Sequence, residues 1–175
     1  MSAQDDFFEI LDDLLVHRSI DDISASEIVG LAGSTRTTFY RNNMDKYDLL
    51  NKRYDRIRSS AVDALLEGKE FIFTQRLFLQ ESESIGGQLL NALDSNDPNS
   101  LSIYMKTTAF DVFTERIKRL HGYDLSLHER LLLKTYISGI YEIYLEYLTA
   151  GSPESWDIAS IIEDAMPQRI REIID

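Results

Sequence analysis

Hydrophobic positions near the start of the chain repeat with the spacing of short amphipathic helices. Between residues 7 and 16 apolar side chains recur three, four and seven positions apart, which predicts a helix with one buried face. Ser24 and Glu27 have the spacing of a capping box, in which each side chain bonds the other residue's backbone amide. A second helix is therefore expected, with Ile28 and Leu31 on its inner face.

A tight turn and a third helix are predicted next. Gly33 readily takes the positive φ that ends a helix. Thr35 can then cap a third helix over about 36–42, in which Phe39 points inward and the polar side chains largely face outward. A long fourth helix is expected over about 45–66.

The rest of the chain keeps the helical pattern, and no alternating run flanked by turns predicts a strand. The expected fold class is all-α, with about nine helices in total. Beyond the first four, helices are expected at about residues 71–81, 88–93, 101–120, 126–149 and 153–166.

The segment 126–149 is apolar on most of its circumference. Its polar residues Lys134, Ser138, Glu142 and Glu146 fall on one narrow stripe. A helix of this kind must be covered on nearly all sides. It is either the central helix of its own bundle or a helix with one face on a second subunit.

The charge of the chain is unevenly distributed. The net charge of −12 argues against a protein that coats nucleic acid, because Lys and Arg supply most of the non-specific affinity for phosphate. Between Ser34 and Arg58, however, seven Lys or Arg stand against three Asp, a net of +4. This basic segment is either a solvated helix face or a surface for an acidic partner.

Little in the sequence indicates catalysis. The chain has no cysteine, and its carboxylates occur in solvated-looking pairs without a nucleophile or phosphate-loop motif. His121, Asp124 and His128 match no defensible metal spacing. We therefore expect neither an enzyme nor a bound cofactor or metal. Without a signal run or an uninterrupted apolar span, a cytoplasmic protein is expected.

The residues that identify a family lie between Ser24 and Leu50: Ser24, Ile28, Ala32, Gly33, Thr35, Thr38, Phe39, Tyr40, Lys46, Leu49 and Leu50. In these residues and their spacing the stretch resembles the helix-turn-helix of TetR-family (tetracycline repressor-like) regulators. The resemblance implies a short member of that family. Its DNA-binding domain would occupy 1–50, with the helix-turn-helix at about 24–43, and a helical regulatory and dimerisation domain would occupy 51–175.

Two positions depart from the family pattern. Ser34 stands where the family commonly has an aliphatic residue, and Asn43 where it commonly has an aromatic one. Burying a large side chain contributes about 1.5 to 3 kcal/mol. Either the DNA-binding domain is less stable than usual, or Met44 fills the space left by the missing apolar side chains through a small change of register.

The resemblance implies that the third helix enters the major groove, where all four base pairs can be distinguished. Base edges would be read by Arg36, Thr37 and Thr38, and phosphates would be held by Tyr40, Arg41 and Lys46. Taken singly, many of these side chains would equally well cap a helix or form an ion pair within the fold instead of contacting DNA. The full implied set is Ser24, Thr35, Arg36, Thr37, Thr38, Tyr40, Arg41 and Lys46.

The resemblance also implies a homodimer that pairs its last two long helices, at about 126–149 and 153–166. Its operator would be a pseudo-palindrome with half-sites about 34 to 36 Å apart. Such a regulator, usually a repressor, answers to a small-molecule effector, which the sequence does not identify. The alternative is a helical adaptor that keeps the architecture and binds proteins instead of DNA. Aromatic residues that would line an effector cavity or form plain core are Phe71, Phe73, Phe78, Tyr104, Phe110, Phe113, Tyr136 and Tyr141.

Overall fold

The computed structural model describes residues 2–83, 85–151, 153 and 157–174, and all regular structure in these residues is helical. The predicted all-α fold class is confirmed, with ten α-helices and one short 3₁₀ helix in the described part of the chain. They are α1 (Ala3–Leu15), the 3₁₀ helix (Ile20–Asp22), α2 (Ala25–Leu31), α3 (Arg36–Asn42), α4 (Lys46–Leu66), α5 (Phe71–Glu83), α6 (Gly86–Leu93), α7 (Leu101–His121), α8 (Leu127–Thr149), α9 (Ile158–Asp164) and α10 (Gln168–Ile174).

One compact unit combines Met1–Arg56 with Ile85–Tyr104. In it α1 packs on α2, α3 and α6. The amide of Asn91 in α6 donates to the carbonyl of Leu15 at 2.7 Å, which holds α6 against the end of α1. Segment 85–104, which was expected in the regulatory and dimerisation domain, therefore packs with helices of the expected DNA-binding domain. The domain boundary expected after residue 50 stays a prediction. Fully buried side chains in this unit include Phe7, Leu11, Leu15, Ile20, Ile28, Phe39 and Leu49.

The second compact unit combines Ile57–Ser84 with Met105–Asp175. Its core contains a cluster of aromatic rings. The ring of Phe71 lies 5.6 Å from that of Phe113 and 6.4 Å from that of Tyr136. The buried Tyr136 hydroxyl donates to the carbonyl of Ile162 at 2.6 Å, and burial raises the pKa of this phenol. These three aromatic residues are therefore core, whereas Phe73 from the same predicted set is exposed.

Two buried charged side chains in the second unit are held by hydrogen bonds. Ser126 and Glu129 form a complete capping box at the start of α8, and Glu129 also accepts from Arg169 at 2.6 Å. Hydrogen bonds from Ser126, followed by the Arg169 guanidinium, hold the pKa of Glu129 below its usual value. Arg116 donates to the backbone carbonyl of Ile174 at 2.5 Å.

The helix predicted at 153–166 is much shorter in the structure. It is α9, Ile158–Asp164, and it begins where the Asp157 side chain accepts a hydrogen bond from the Ser160 amide at 3.2 Å. Ser152, which precedes the predicted helix, and Trp156, which falls within it, lie outside the described residues. The prediction of two long closing helices was wrong on this point, since α9 has seven residues.

A further helix, α10, follows directly after Pro167. No helix was predicted here, although Pro167 can precede a helix: its carbonyl accepts from the amide of Arg171 at 3.0 Å and so closes the first turn of α10. Ile170, Ile173 and Ile174 are buried with the spacing of one helix face. That spacing was the available signal for α10.

The outer face of α8 carries the predicted polar stripe, since Lys134, Ser138, Glu142 and Glu146 are all exposed. Leu127 is 73% exposed, and apolar side chains on this helix are therefore not covered on all sides within one chain.

None of the helices in the described residues is both long and apolar enough to cross a membrane.

Candidate nucleic-acid interface

The turn between α2 and α3 is closed by backbone hydrogen bonds. Gly33 has a φ of +59°, and its amide donates to the carbonyl of Gly30 at 3.2 Å. The amide of Ser34 donates to the carbonyl of Val29 at 3.1 Å. This pair of bonds is the Schellman arrangement, and it requires the left-handed conformation that glycine adopts without strain. The predicted helix end at Gly33 is confirmed.

The inner face of α2 differs from the prediction at one residue. Ile28 and Val29 are buried, whereas Leu31 is 58% exposed. Successive helical residues are about 100° apart, so Val29 and Leu31 lie on opposite sides of Ile28. The buried face extends toward Val29, and the assignment of Leu31 to the inner face was wrong.

A cap and one aromatic anchor hold α3 in place. The hydroxyl of Thr35 accepts from the amide of Thr38 at 3.1 Å, as expected for an N-cap. Phe39 is fully buried, with its ring 5.3 Å from that of Phe7 in an edge-to-face contact. The same seven-residue helix carries its remaining long side chains, including Tyr40, on the outside.

The exposed face of α3 is positively charged and has no carboxylate of its own. Arg36 and Arg41 are both exposed on this helix. The guanidinium of Arg36 donates to the hydroxyl of Ser26 in α2 at 2.9 Å. Arg41 makes no hydrogen bond or ion pair with the described residues, so its five donors face solvent. Thr37 is exposed between them.

Much of the charge in the basic segment is used within the fold. Three of its seven cations form ion pairs within the first compact unit, and two others, Arg36 and Arg41, lie on α3. The pairs are Lys52 with Asp48 at 2.8 Å, Arg53 with Asp12 at 2.8 Å and Arg56 with Asp5 at 2.5 Å. In the last pair, the pKa of Asp5 is held well below its usual range, first by hydrogen bonds from Ser2 and then by the bond from Arg56.

Lys46, at the start of α4, is half-buried. Its ammonium donates to the backbone carbonyls of Ile20, Asp21 and Ile23 at 2.8, 2.9 and 2.8 Å. These carbonyls belong to the 3₁₀ helix and the residue after it. Because a lysine ammonium has three donors, all of them are occupied. The phosphate contact expected of Lys46 would require one of these bonds to be exchanged.

Ser24 is exposed and caps α2. Its hydroxyl accepts from the amide of Glu27 at 3.1 Å, which is half of the predicted capping box. The carboxylate of Glu27 accepts from Arg18 at 2.6 Å, and this bond is the main reason that the pKa of Glu27 is lowered. Ser24 therefore fixes the first turn of α2 and keeps its hydroxyl at the surface.

The residue just beyond α3 is buried rather than exposed. Asn43 is 2% exposed and exchanges two hydrogen bonds with the side chain of Gln4 in α1. Met44 is 81% exposed, so the alternative in which it fills the space left by an aromatic residue was wrong. The Gln4 amide occupies that region instead. Gln4 was missed, although its position one turn before Phe7 places it on the inner face of α1.

The residues considered as metal ligands have other partners. The Nε2 atom of His121 lies 2.9 Å from the carbonyl oxygen of Ile173, and Asp124 accepts from Lys118 at 2.9 Å. Within the described part of the chain, no three His, Asp or Glu side chains are grouped so that they would hold a metal ion.

Comparison with known proteins shows the fold. No protein-family model matches the chain, and no curated protein is similar to it in sequence. The solved structure of the fatty acid degradation regulator FadR from Bacillus halodurans matches with a TM-score of 0.56, over 99% of this chain and 95% of that one. The chain therefore has the all-helical fold of that regulator. Because the two sequences are 10% identical, membership of the TetR family stays a prediction.

Proposed function

We propose that this protein is a DNA-binding transcriptional regulator whose helix α3 lies in the major groove. The observation that carries the proposal is the exposed, carboxylate-free face of α3, with Arg36 and Arg41 pointing outward from a helix anchored by buried Phe39. A short, rigidly seated helix with a basic face is the element that helix-turn-helix proteins place in the groove.

The exposed residues divide by the chemistry that they offer. Arg36 has a planar fork of donors that matches the O6 and N7 atoms of guanine, and Thr37 offers a methyl group to thymine. Thr38 has its hydroxyl 2.9 Å from that of Thr35, so its methyl is the more available contact. Tyr40 and Arg41 would hold phosphates, which position the helix without reading sequence.

Ser24 and Thr35 contribute by fixing the first turns of α2 and α3, which leaves backbone amides near the expected path of the phosphates. We assign Lys46 a positioning role. Its three bonds hold the chain just before Ser24, so the geometry of α2 relative to α4 depends on this ammonium.

The acidic net charge of the chain suits a regulator that must bind DNA of unrelated sequence only weakly. A net charge of −12 opposes non-specific attraction to phosphate, so affinity depends on the two arginines of α3 and on base contacts. Strong dependence on a few contacts favours selectivity over tight general binding.

A homodimer that acts as a repressor is the form of this regulator that we propose. Leu127 and Leu131 are exposed on α8, and a Cβ added at exposed Gly139 would meet no atom within 4 Å. This face can receive the same face of a second copy. Leu131→Glu should therefore convert a dimer to a monomer in sedimentation velocity, whereas Arg119→Glu should not.

A small-molecule effector bound in the second compact unit is part of the same proposal. It would act by binding more tightly when the two DNA-binding domains of the dimer have one orientation than when they have another. The adaptor remains the second candidate, because Leu31 and Met44 expose apolar surface beside α3. Packing through such surface would respond little to salt.

The test is binding of the purified protein to fragments of its own upstream DNA across a salt series. We expect selective binding that weakens steeply with salt and that an Arg36→Ala, Tyr40→Ala double variant loses. An Arg119→Ala, Tyr123→Ala double variant, which removes the same chemistry from an exposed part of the second unit, should bind normally. Binding that is no stronger than to random DNA would contradict the proposal and favour the adaptor.

A further inference from the structure

The first turn of α1 and the end of α3 are joined by a reciprocal pair of amide hydrogen bonds. The Gln4 amide nitrogen donates to the Asn43 side-chain oxygen at 2.9 Å, and the Asn43 amide nitrogen donates back to Gln4 at 3.0 Å. The two residues are 39 positions apart in the sequence. We call this contact the amide pair.

Asn43 uses its hydrogen-bonding groups fully at this point. Its second side-chain N–H donates to the carbonyl of Phe39 at 3.3 Å, and its backbone amide donates to the same carbonyl at 3.0 Å. A carboxamide has two donors and one acceptor oxygen, and each is engaged here. The last turn of α3 is thus tied to Gln4 through one buried side chain.

The other side of the amide pair is itself held firmly. Ser2 and Asp5 form a complete capping box at the start of α1, and Asp5 accepts from Arg56 at 2.5 Å. Gln4 lies inside this capped turn. The end of α3 is therefore attached to a fixed point rather than to a fraying terminus.

Apolar and polar contacts restrain α3 in different ways. Phe39 anchors the helix by burial, which is largely non-directional and tolerates rotation of the helix about the ring. Hydrogen bonds have narrow ranges of distance and angle, so the amide pair sets the rotation of the helix. Tyr40 and Arg41 lie between these two anchors, and a small rotation would displace both side chains.

We propose that Gln4 and Asn43 are positioning residues for the DNA-reading surface: Phe39 keeps α3 folded, and the amide pair sets its orientation. The inference rests on the proposed DNA-binding function. Neither residue is expected to touch DNA. A recognition surface must be held within about 0.5 Å and 10 to 20° of its productive geometry, and the amide pair supplies that restraint.

Two variants distinguish the effect of the amide pair on the orientation of α3 from its effect on the stability of the protein. Gln4→Met leaves the buried Asn43 amide without its partner, which should lower both the melting temperature and the affinity for the operator. Adding Asn43→Leu replaces both amides by apolar groups of similar size. Because replacing both partners is nearly neutral for stability, the double variant should melt close to the wild type.

Operator binding then distinguishes the two roles. If the amide pair positions α3, the double variant regains stability but binds its operator about tenfold more weakly, which equals the loss of one good base contact. Its salt dependence should match the wild type, because no phosphate contact is removed. Arg41→Ala is the control that does lower the salt dependence.

All affinities are measured where circular dichroism shows each variant to be folded. If the double variant does not fold, Gln4→Met is compared at a temperature below its own transition, and the same loss of affinity with unchanged salt dependence is expected. Operator binding as tight as in the wild type, by either folded variant, would overturn the positioning role. Absence of selective binding by the wild type would overturn the proposed function itself, and that result is visible without any variant.

Discussion

Lys46 and Arg41 are both basic residues of the segment between Ser34 and Arg58, but their side chains have different surroundings, and they make a matched pair for mutation. The ammonium of Lys46 is bound to three backbone carbonyls, whereas Arg41 has no partner among the described residues. We therefore expect Lys46→Met to reduce stability and Arg41→Ala to reduce DNA binding. Methionine keeps the apolar stem of the lysine, so the substitution removes mainly the three hydrogen bonds.

The size of the stability loss follows from those bonds. A hydrogen bond to a charged group contributes about 1.5 to 3 kcal/mol, and the bonds to Ile20 and Ile23 are part-buried. Since three bonds share one ammonium, their contributions do not add, and we expect Lys46→Met to cost about 2 to 4 kcal/mol. Arg41→Ala should change stability by less than about 0.5 kcal/mol, as exposed substitutions usually do.

The assay combines urea unfolding with operator binding at several salt concentrations. Arg41→Ala should lower the slope of log affinity against log salt by about one, because one phosphate contact is lost. Lys46→Met should leave that slope unchanged under conditions where it is folded. A slope lowered by about one in Lys46→Met, with wild-type stability, would refute this account and establish a phosphate contact for Lys46.

Three further predictions concern packing and pH. Phe39→Ala removes the buried anchor of α3 and should cost about 3 to 5 kcal/mol in urea unfolding; a loss below about 1 kcal/mol would contradict its place in the core. Met44→Ser should change stability by less than about 0.5 kcal/mol, since the side chain fills no gap, and a large loss would show otherwise. The pKa of Glu129 is lowered by folding, so its ionised form stabilises the protein above the unfolded value of about 4.3. Glu129→Gln should therefore be less stable than the wild type at pH 7, and the difference should shrink as the pH falls below that value; a constant difference would contradict the assignment.

Local signals were enough to predict the turn between α2 and α3 and the start of α3. The turn depends on Gly33, and the start of α3 depends on Thr35, so neighbouring residues determine both features. Phe39 was recognisable as the inward residue because every other side chain of α3 carries a polar group. Such features need only a few consecutive residues, and the structure agrees with the prediction for each of them.

Features that depend on distant residues were not predictable in this way. The partners of Lys46 are about 25 residues earlier in the chain, as the bond to Asp21 illustrates. The bond between Gln4 and Asn43 spans 39 residues, and no sequence pattern signals which polar groups will meet. The error at Leu31 has another cause, because a seven-residue helix has too few apolar positions to define its buried face.

The central claim is that α3 reads base edges through Arg36. Selection of preferred sites from a pool of random DNA, by the wild type and by Arg36→Ala, tests it most directly. The account predicts a site with two related halves, in which one guanine position per half-site becomes indifferent to the base when Arg36 is replaced. Recovery of the same site with the same base preferences by Arg36→Ala, or recovery of no preferred site by the wild type, would contradict it.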